Sequence, residues 1–136
     1  MVKSSGATWA LVTGGSDGIG LGLCKKLAKD GFNICMVSRN EEKMKQKCEE
    51  ITKECRPGDS TFETMTVVAD FSKIFTIEEY KTTIAEKVSH LDIGVVCLNA
   101  GWTTMGTFHK FADWEVEQIT QINVNHVIYG MKVLIG

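Results

Sequence analysis

Thr13-Gly14-Gly15-Ser16-Asp17-Gly18-Ile19-Gly20 joins two segments of different periodicity. Before it lies a short apolar run, Trp9-Ala10-Leu11-Val12. After it, Ile19, Leu23, Cys24, Leu27 and Ala28 recur at helical spacing. The glycines therefore sit at a strand-to-helix turn. Such a turn aims backbone N–H groups at whatever lies above the helix N-terminus. The helix macrodipole makes that spot favourable for an anion such as a pyrophosphate. Glycine permits close approach and positive φ. A turn without a ligand is the simpler reading, but three glycines in register at one strand–helix junction favour a nucleotide. The spacing is Thr-Gly-x-x-x-Gly-x-Gly, not the G-x-G-x-x-G of the standard dinucleotide loop.

A chain of 136 residues suits one domain spanning residues 1–136. Its hydrophobic share of 43% and charged share of 24% are those of an ordinary soluble globular protein. A net charge of −2 gives no electrostatic footprint for nucleic acid. No apolar run approaches the length of a membrane span, and Met1 to Gly6 is too polar and short for a signal peptide. Cys24, Cys35, Cys48, Cys55 and Cys97 each fall on an apolar position. No C-x-x-C pair occurs, so the expectation is reduced, buried thiols rather than disulfides or a metal site.

Strand and helix patterns alternate along the chain, which predicts a parallel sheet with helices on its faces. Strand one is expected at Thr8 to Val12, and its helix stops at Asp30-Gly31. Phe32 to Val37 reads as a strand buried on both faces. Asn40 is the expected cap of a helix from Glu41 to Cys55. Met44, Cys48, Ile51 and Cys55 form its apolar stripe, and Glu41–Lys45 and Glu49–Lys53 are i,i+4 pairs on a solvated face. Arg56-Pro57-Gly58-Asp59 is a turn. Thr64 to Ala69 is a third strand. Thr76-Ile77-Glu78-Glu79 resembles a capping box opening a helix with Ile77, Tyr80, Ile84 and Val88 inward. Ile93 to Leu98 reads as a fourth buried strand. A polar loop then leads to Asp113, the expected cap of a last helix with Val116, Ile119, Ile122, Val127, Gly130 and Leu134 along its inner face.

Four segments fall at the C-terminal ends of the expected strands: the glycine loop, Ser38-Arg39, Asp70 and Asn99-Ala100-Gly101. In open α/β sheets ligands bind there, where strand order reverses. Arg39 lies near the place of the ribose-reading residue of a dinucleotide fold. A guanidinium beside a hydroxyl suits a 2′-phosphate, which favours NADP, although Arg39 also fits the solvated start of a helix. Asp17 adds negative charge near the phosphates and counts against NADP. Asp70 fits equally a strand-end turn or a contact to adenine. Asn123 and Asn125 stand inside the last helix, where asparagine is a poor helix former. His126 reads as a structural histidine, and Trp102, following Asn-Ala-Gly, packs or walls a substrate cleft.

With these residues assembled, the chain resembles the front half of a short-chain dehydrogenase/reductase. The resemblance rests on the Thr13–Gly20 loop, Asp70, Asn99-Ala100-Gly101 and an asparagine in the fourth helix. It implies a Rossmann-type doubly wound parallel α/β sheet of order 3-2-1-4, with its C-terminal part missing. The subgroup it is most similar to comprises very-long-chain 3-oxoacyl-CoA reductases and 17β-hydroxysteroid dehydrogenases. Trp9-Ala10-Leu11-Val12-Thr13-Gly14, Asp17-Gly18-Ile19-Gly20, Val37-Ser38-Arg39-Asn40, Ala69-Asp70-Phe71-Ser72 and Leu91-Asp92-Ile93-Gly94 carry that likeness.

By resemblance, Gly14, Gly18 and Gly20 hold the pyrophosphate of NADP, with Thr13, Ser16, Ile19, Ser38, Arg39 and Asp70 around the cofactor. Asn99, Ala100 and Gly101 border it and stiffen the sheet. The helix asparagine falls on Asn123 by ungapped alignment, with Asn125 the alternative. The implied reaction is reduction of a carbonyl on a lipid-like substrate, a 3-oxoacyl-CoA or a ketosteroid, by hydride transfer. The family's catalytic serine and Tyr-x-x-x-Lys are expected beyond residue 136. The residues four after Tyr80 and Tyr129 are Ile84 and Val133, so neither tyrosine supplies that motif. An inactive dinucleotide-binding half-domain is therefore the alternative, and a helix-face interaction protein a third. The resemblance implies the endoplasmic reticulum, the lack of an anchor the cytoplasm, and a homo-oligomer is open.

Overall fold

Trp9–Thr13 form β1, and all five residues are buried. The computed structural model describes residues 8–135. The expectation about a signal peptide at Met1 to Gly6 lies outside them, as does Gly136. β1 pairs in parallel with β2 (Asn33–Ser38) and with β4 (Ile93–Leu98), and β2 pairs with β3 (Thr64–Val68). The order is β3-β2-β1-β4, as the resemblance implies. Register places Thr13 between Val37 and Leu98, so the C-terminal ends of β2, β1 and β4 come level at one edge.

Strand alternation divides the core into two layers. Ala10, Val12, Ile34 and Met36 meet α1 (Gly18–Lys29) and α2 (Glu41–Cys55) through Cys24, Ala28, Met44, Cys48 and Ile51. Leu11, Cys35, Val37 and Val67 face the other way, toward Phe71, Tyr80, Ile84, Val88 and Ile122. Strands that feed two layers need apolar residues at every position, which explains their near-continuous hydrophobic runs. The described cysteines are free, with Cys24, Cys35 and Cys48 buried and Cys55 and Cys97 half-buried.

Local signals set the helix ends. Gly31, at φ 100°, follows α1 in a backbone region that only glycine enters without strain. The Asn40 side chain accepts the Lys43 amide at 2.9 Å and caps α2. Glu41–Lys45 forms at 2.9 Å, whereas Glu49–Lys53 is not among the ion pairs of the described residues. Glu50 and Glu54 instead face α1 and hold Lys25 at 2.6 and 2.8 Å.

Two helices run through a π turn. The first, α3, covers residues 77–88, with its π turn at Lys81–Ala85 and the expected capping box at Thr76 and Glu79. Tyr80, Ile84 and Val88 point inward, but Ile77, expected inward as well, stays 38% exposed. The second, α4, covers residues 113–134, with a π turn at Gln121–Asn125. Ala112, not Asp113, takes its cap position, and the Glu115 carboxylate accepts the Ala112 amide at 2.9 Å. The extra residue of the π turn rotates the buried face. Gln121 and His126 turn inward, while Val116, Ile119, Val127 and Leu134 are only half-buried. β4 is half-buried too, against the expectation of a fully buried strand, because it pairs with β1 alone among the described residues.

Candidate functional site

The Thr13 hydroxyl is the hub of the strand ends. It accepts the Asn99 amide at 2.9 Å and the Ala100 amide at 3.1 Å, which fills both lone pairs. Its single proton is left for His126 Nε2 at 2.9 Å, closer than the Cys97 carbonyl at 3.5 Å. Asn99 Nδ2 donates to the carbonyls of Thr13 at 3.2 Å and Gly14 at 3.4 Å. One hydroxyl and one carboxamide therefore lock the end of β4 to the glycine loop. Neither Thr13 nor His126 reaches the surface.

Above this hub opens a cleft of about 580 Å3. Its walls include Gly14, Ser16, Ile19, Ser38, Arg39, Asp70, Asn99, Ala100 and Gly101. All four strand-end segments thus meet at one place, a volume in the range of small-molecule sites. Thr13, Gly18, Gly20 and Asn123 do not line it. Gly18 sits at φ 47° beside open space. Gly20 packs inward: a Cβ there would lie 2.1 Å from the Gly14 carbonyl oxygen. Its place is close packing of helix on loop rather than the cleft wall. Ser16 and Ser38 share a hydroxyl–hydroxyl hydrogen bond of 3.2 Å across the cleft floor.

The charges follow the same convergence. Arg39 is exposed on the cleft and has no carboxylate within 4.0 Å among the described residues. Asp17 caps α1 by accepting the Gly18 amide at 2.8 Å and pairs with Lys43 at 2.7 Å. The Lys43 hydrogen bond, the Gly18 amide and the lysine's charge hold the Asp17 carboxyl below its ordinary value. Asp70 closes a turn, accepting the Ser72 hydroxyl at 2.6 Å and amide at 3.0 Å. Burial works to raise the Asp70 carboxyl, but Ser72, Lys73 and Arg39 outweigh it and leave it lowered. Lys43 and Phe71 also line the cleft. The sequence pattern alone places Lys43 on a solvated helix face. Its position four after Arg39, in the first turn of α2, was the available signal.

The two asparagines separate cleanly. Asn123 Oδ1 accepts the Trp102 amide at 3.0 Å, and its Nδ2 donates to the Trp102 carbonyl at 2.6 Å. It pins the loop after Asn99-Ala100-Gly101 to α4. Asn125 instead donates to Gln121 Oε1 at 2.9 Å, away from that loop. Gln121 in turn donates to the Ile74 carbonyl.

A profile described as short chain dehydrogenase matches residues 8–135. The chain belongs to that family. It is 36% identical over 131 residues to a very-long-chain 3-oxoacyl-CoA reductase of Mycosarcoma maydis, covering 95% of this chain and 36% of that protein. It is 37% identical over 93 residues to 17-beta-hydroxysteroid dehydrogenase type 3 of Danio rerio, covering 68% of this chain and 27% of that protein. The chain spans about a third of the length of such curated relatives. Among solved structures, L-sorbose reductase from Gluconobacter frateurii complexed with NADPH and L-sorbose superposes with a TM-score of 0.79 at 22% identity. That match covers 95% of this chain and 46% of the reductase.

Short-chain dehydrogenases use nicotinamide dinucleotides, and this cleft fits one. Gly14, at φ 64°, brings its backbone so near Ala100 that an added Cβ would lie 3.0 Å from the Ala100 Cα. The first turn of α1 presents the amides of Ile19 and Gly20, for which no acceptor exists among the described residues. Such free amides at a helix N-terminus suit a phosphate. No group of three metal-ligating side chains exists among the described residues.

His126 gives the hub a pH dependence. Burial pulls its imidazole down from 6.5 to about 4, with the Ile122 carbonyl opposing more weakly. Its Nδ1 has no partner within hydrogen-bond geometry. A histidine with a lowered folded-state pKa stabilises the fold above its unfolded value and loses that contribution as pH falls toward the folded value. Unfolding free energy should therefore decline between pH 6.5 and about 4. From this group the slope approaches about 1.4 kcal/mol per pH unit. Urea titrations across that window check it. His126→Gln should flatten the slope, and an equal slope in both proteins would remove His126 as its source.

Proposed function

We propose that this chain is the NADP-binding part of a carbonyl reductase of lipid-like substrates. The observation that carries the reading is the convergence of four strand-end segments on one cleft with Arg39 free at its rim. Gly14, Ser16 and Ile19 hold the pyrophosphate, and Gly18 and Gly20 shape the loop that presents those groups. Ser38 and Arg39 take the phosphorylated ribose, Asp70 borders the adenine, and Asn99, Ala100 and Gly101 line the far wall above Thr13. A reduced nicotinamide supplies the hydride when bound. The residues of this chain orient the cofactor and exclude water along the Phe71 and Trp102 side. Asn123 acts as a positioning residue, holding the loop beside Gly101. Relatives named for 3-oxoacyl-CoA and steroid substrates support the 3-keto group of a long acyl-CoA, or a ketosteroid, as the target. No described helix is long and apolar enough to cross a membrane. The endoplasmic reticulum is the proposed location, with the cytoplasm as alternative.

One observation favours a second reading, a half-domain that binds dinucleotide without chemistry. The titratable side chains lining the cleft are Asp17, Arg39, Lys43 and Asp70, with both carboxyls held in their ionised range. Tyr80 is fully buried against Phe71 and Tyr129, and burial pushes its phenol up. Neither described tyrosine stands at the cleft as a proton donor.

Calorimetric titration with NADPH and NADH tests the first reading. Arg39→Asp should shift the affinity ratio toward NADH by about tenfold or more, the worth of one charge-assisted hydrogen bond to the phosphate. An unchanged ratio removes Arg39 from its role. Absence of NADPH binding by the folded chain overturns both readings. Binding without turnover of a ketone supports the second.

A further inference from the structure

The Asp17–Lys43 pair bridges two elements at the mouth of the cleft. Asp17 comes from the glycine loop and Lys43 from the first turn of α2, and both line the cleft. The carboxylate is anchored on one side, since its Oδ1 accepts the Gly18 amide while only Oδ2 meets the lysine. The lysine is held by nothing else: Asp17 is its one carboxylate within 4.0 Å among the described residues. The pair is also open to water, with 40% of the Lys43 and 80% of the Asp17 side chain accessible. Exposed pairs of this kind are screened and readily exchanged. Of the two partners, the short anchored aspartate stays and the long lysine moves.

We propose that Asp17 and Lys43 form a charge gate that sets the preference for a 2′-phosphorylated cofactor. This rests on the dinucleotide reading of the cleft. A ribose 2′-phosphate carries close to two negative charges and three acceptor oxygens. It outcompetes a single carboxylate for the ammonium, and Lys43 joins Arg39 on it. An unphosphorylated ribose offers no such charge, and Lys43 stays on Asp17. Asp17 therefore lowers affinity for the phosphorylated cofactor by competing for its cation. This reconciles an aspartate inside the phosphate loop with an arginine placed for a phosphate. The two residues act in opposite senses on one discrimination.

The gate is read by binding alone. The chain and its variants are titrated calorimetrically with 2′-phospho-ADP-ribose and with ADP-ribose. Asp17→Asn, which keeps a good helix cap, should raise the affinity ratio of the phosphorylated over the plain probe about three- to tenfold. Lys43→Gln should lower that ratio by about the same factor, and Lys43→Arg should hold it within about twofold. Variants that bind both probes with an unchanged ratio overturn the gate and leave the dinucleotide reading standing. A ratio lowered by Asp17→Asn also overturns it. Failure of the unsubstituted chain to bind either probe removes the dinucleotide reading, and the gate with it.

Discussion

Gly20→Ala is expected to destabilise the chain by more than about 3 kcal/mol, the upper end for an overpacked site. The methyl would lie 2.1 Å from the Gly14 carbonyl oxygen and 2.5 Å from Asn99 Nδ2. Neither neighbour has room to retreat. The carbonyl belongs to the loop backbone, and the Asn99 amide is already committed to the Thr13 and Gly14 carbonyls. Propensity works the other way, since alanine is favoured over glycine inside a helix by about 1 kcal/mol. The steric term must therefore exceed that gain for any loss to be seen. Gly22 supplies the internal control. It lies in the same helix with nothing within 4 Å of an added Cβ. Gly22→Ala should be neutral or stabilising by up to about 1 kcal/mol. Urea unfolding of the two variants decides the matter. Equal stabilities would show that the helix–loop approach at Gly20 tolerates a side chain.

That contrast shows what kind of information the sequence carries. Gly20 and Gly22 are both glycines at the start of one helix, and spacing marks the first only as part of a loop pattern. The contacts that make it obligatory are the Gly14 carbonyl in the folded-back loop and the Asn99 carboxamide, almost eighty residues away. By contrast, elements fixed by local chemistry were legible. Asn40 and Thr76 cap the helices they were expected to cap, and Gly31 ends α1. The apolar runs that feed two core layers marked the strands, while their order was legible only through the family resemblance.

The candidate site was legible as a set of strand ends and much less so as a set of contacts. Nothing at the level of periodicity marks a π turn, so the inward position of Gln121 was hidden. A plain 3.6-residue wheel drawn through α4 leaves Gln121 off the buried face, whereas His126, four after Ile122 and four before Gly130, falls on it. Lys43 was hidden for a different reason. It sits in a run of alternating charges in which Glu41, Glu42, Lys45, Glu49 and Lys53 do face water, and only the fold brings it to Asp17. Asn123 and Asn125 were indistinguishable by composition. The structure separates them because Trp102 presents both its amide and its carbonyl to the first and neither to the second.

Thr13→Val tests whether the hub beneath the cleft holds the strand ends together. Valine keeps the shape and removes the hydroxyl, so packing is nearly unchanged and the effect isolates hydrogen bonding. Two groups lose their partner outright, the Ala100 amide and His126 Nε2, while the Asn99 amide keeps the Cys97 carbonyl at 3.0 Å. At about 1 kcal/mol or more for each group left unsatisfied, the loss should reach about 2–3 kcal/mol. Thr13→Ser, which keeps the oxygen, should cost about 1 kcal/mol through the missing methyl. The two substitutions therefore bracket the hydroxyl's contribution. A cycle with His126→Phe adds the decisive comparison. Once Thr13 is valine, the buried imidazole has lost its donor, so replacing it should cost less than in the unsubstituted chain. Coupling of about 0.5–3 kcal/mol is the range for residues that share a hydrogen bond. Valine and serine variants of equal stability, with no coupling to His126, would mean that the strand ends are held by the Asn99 carboxamide alone. In that case cofactor affinity should collapse with Asn99→Ala and survive Thr13→Val.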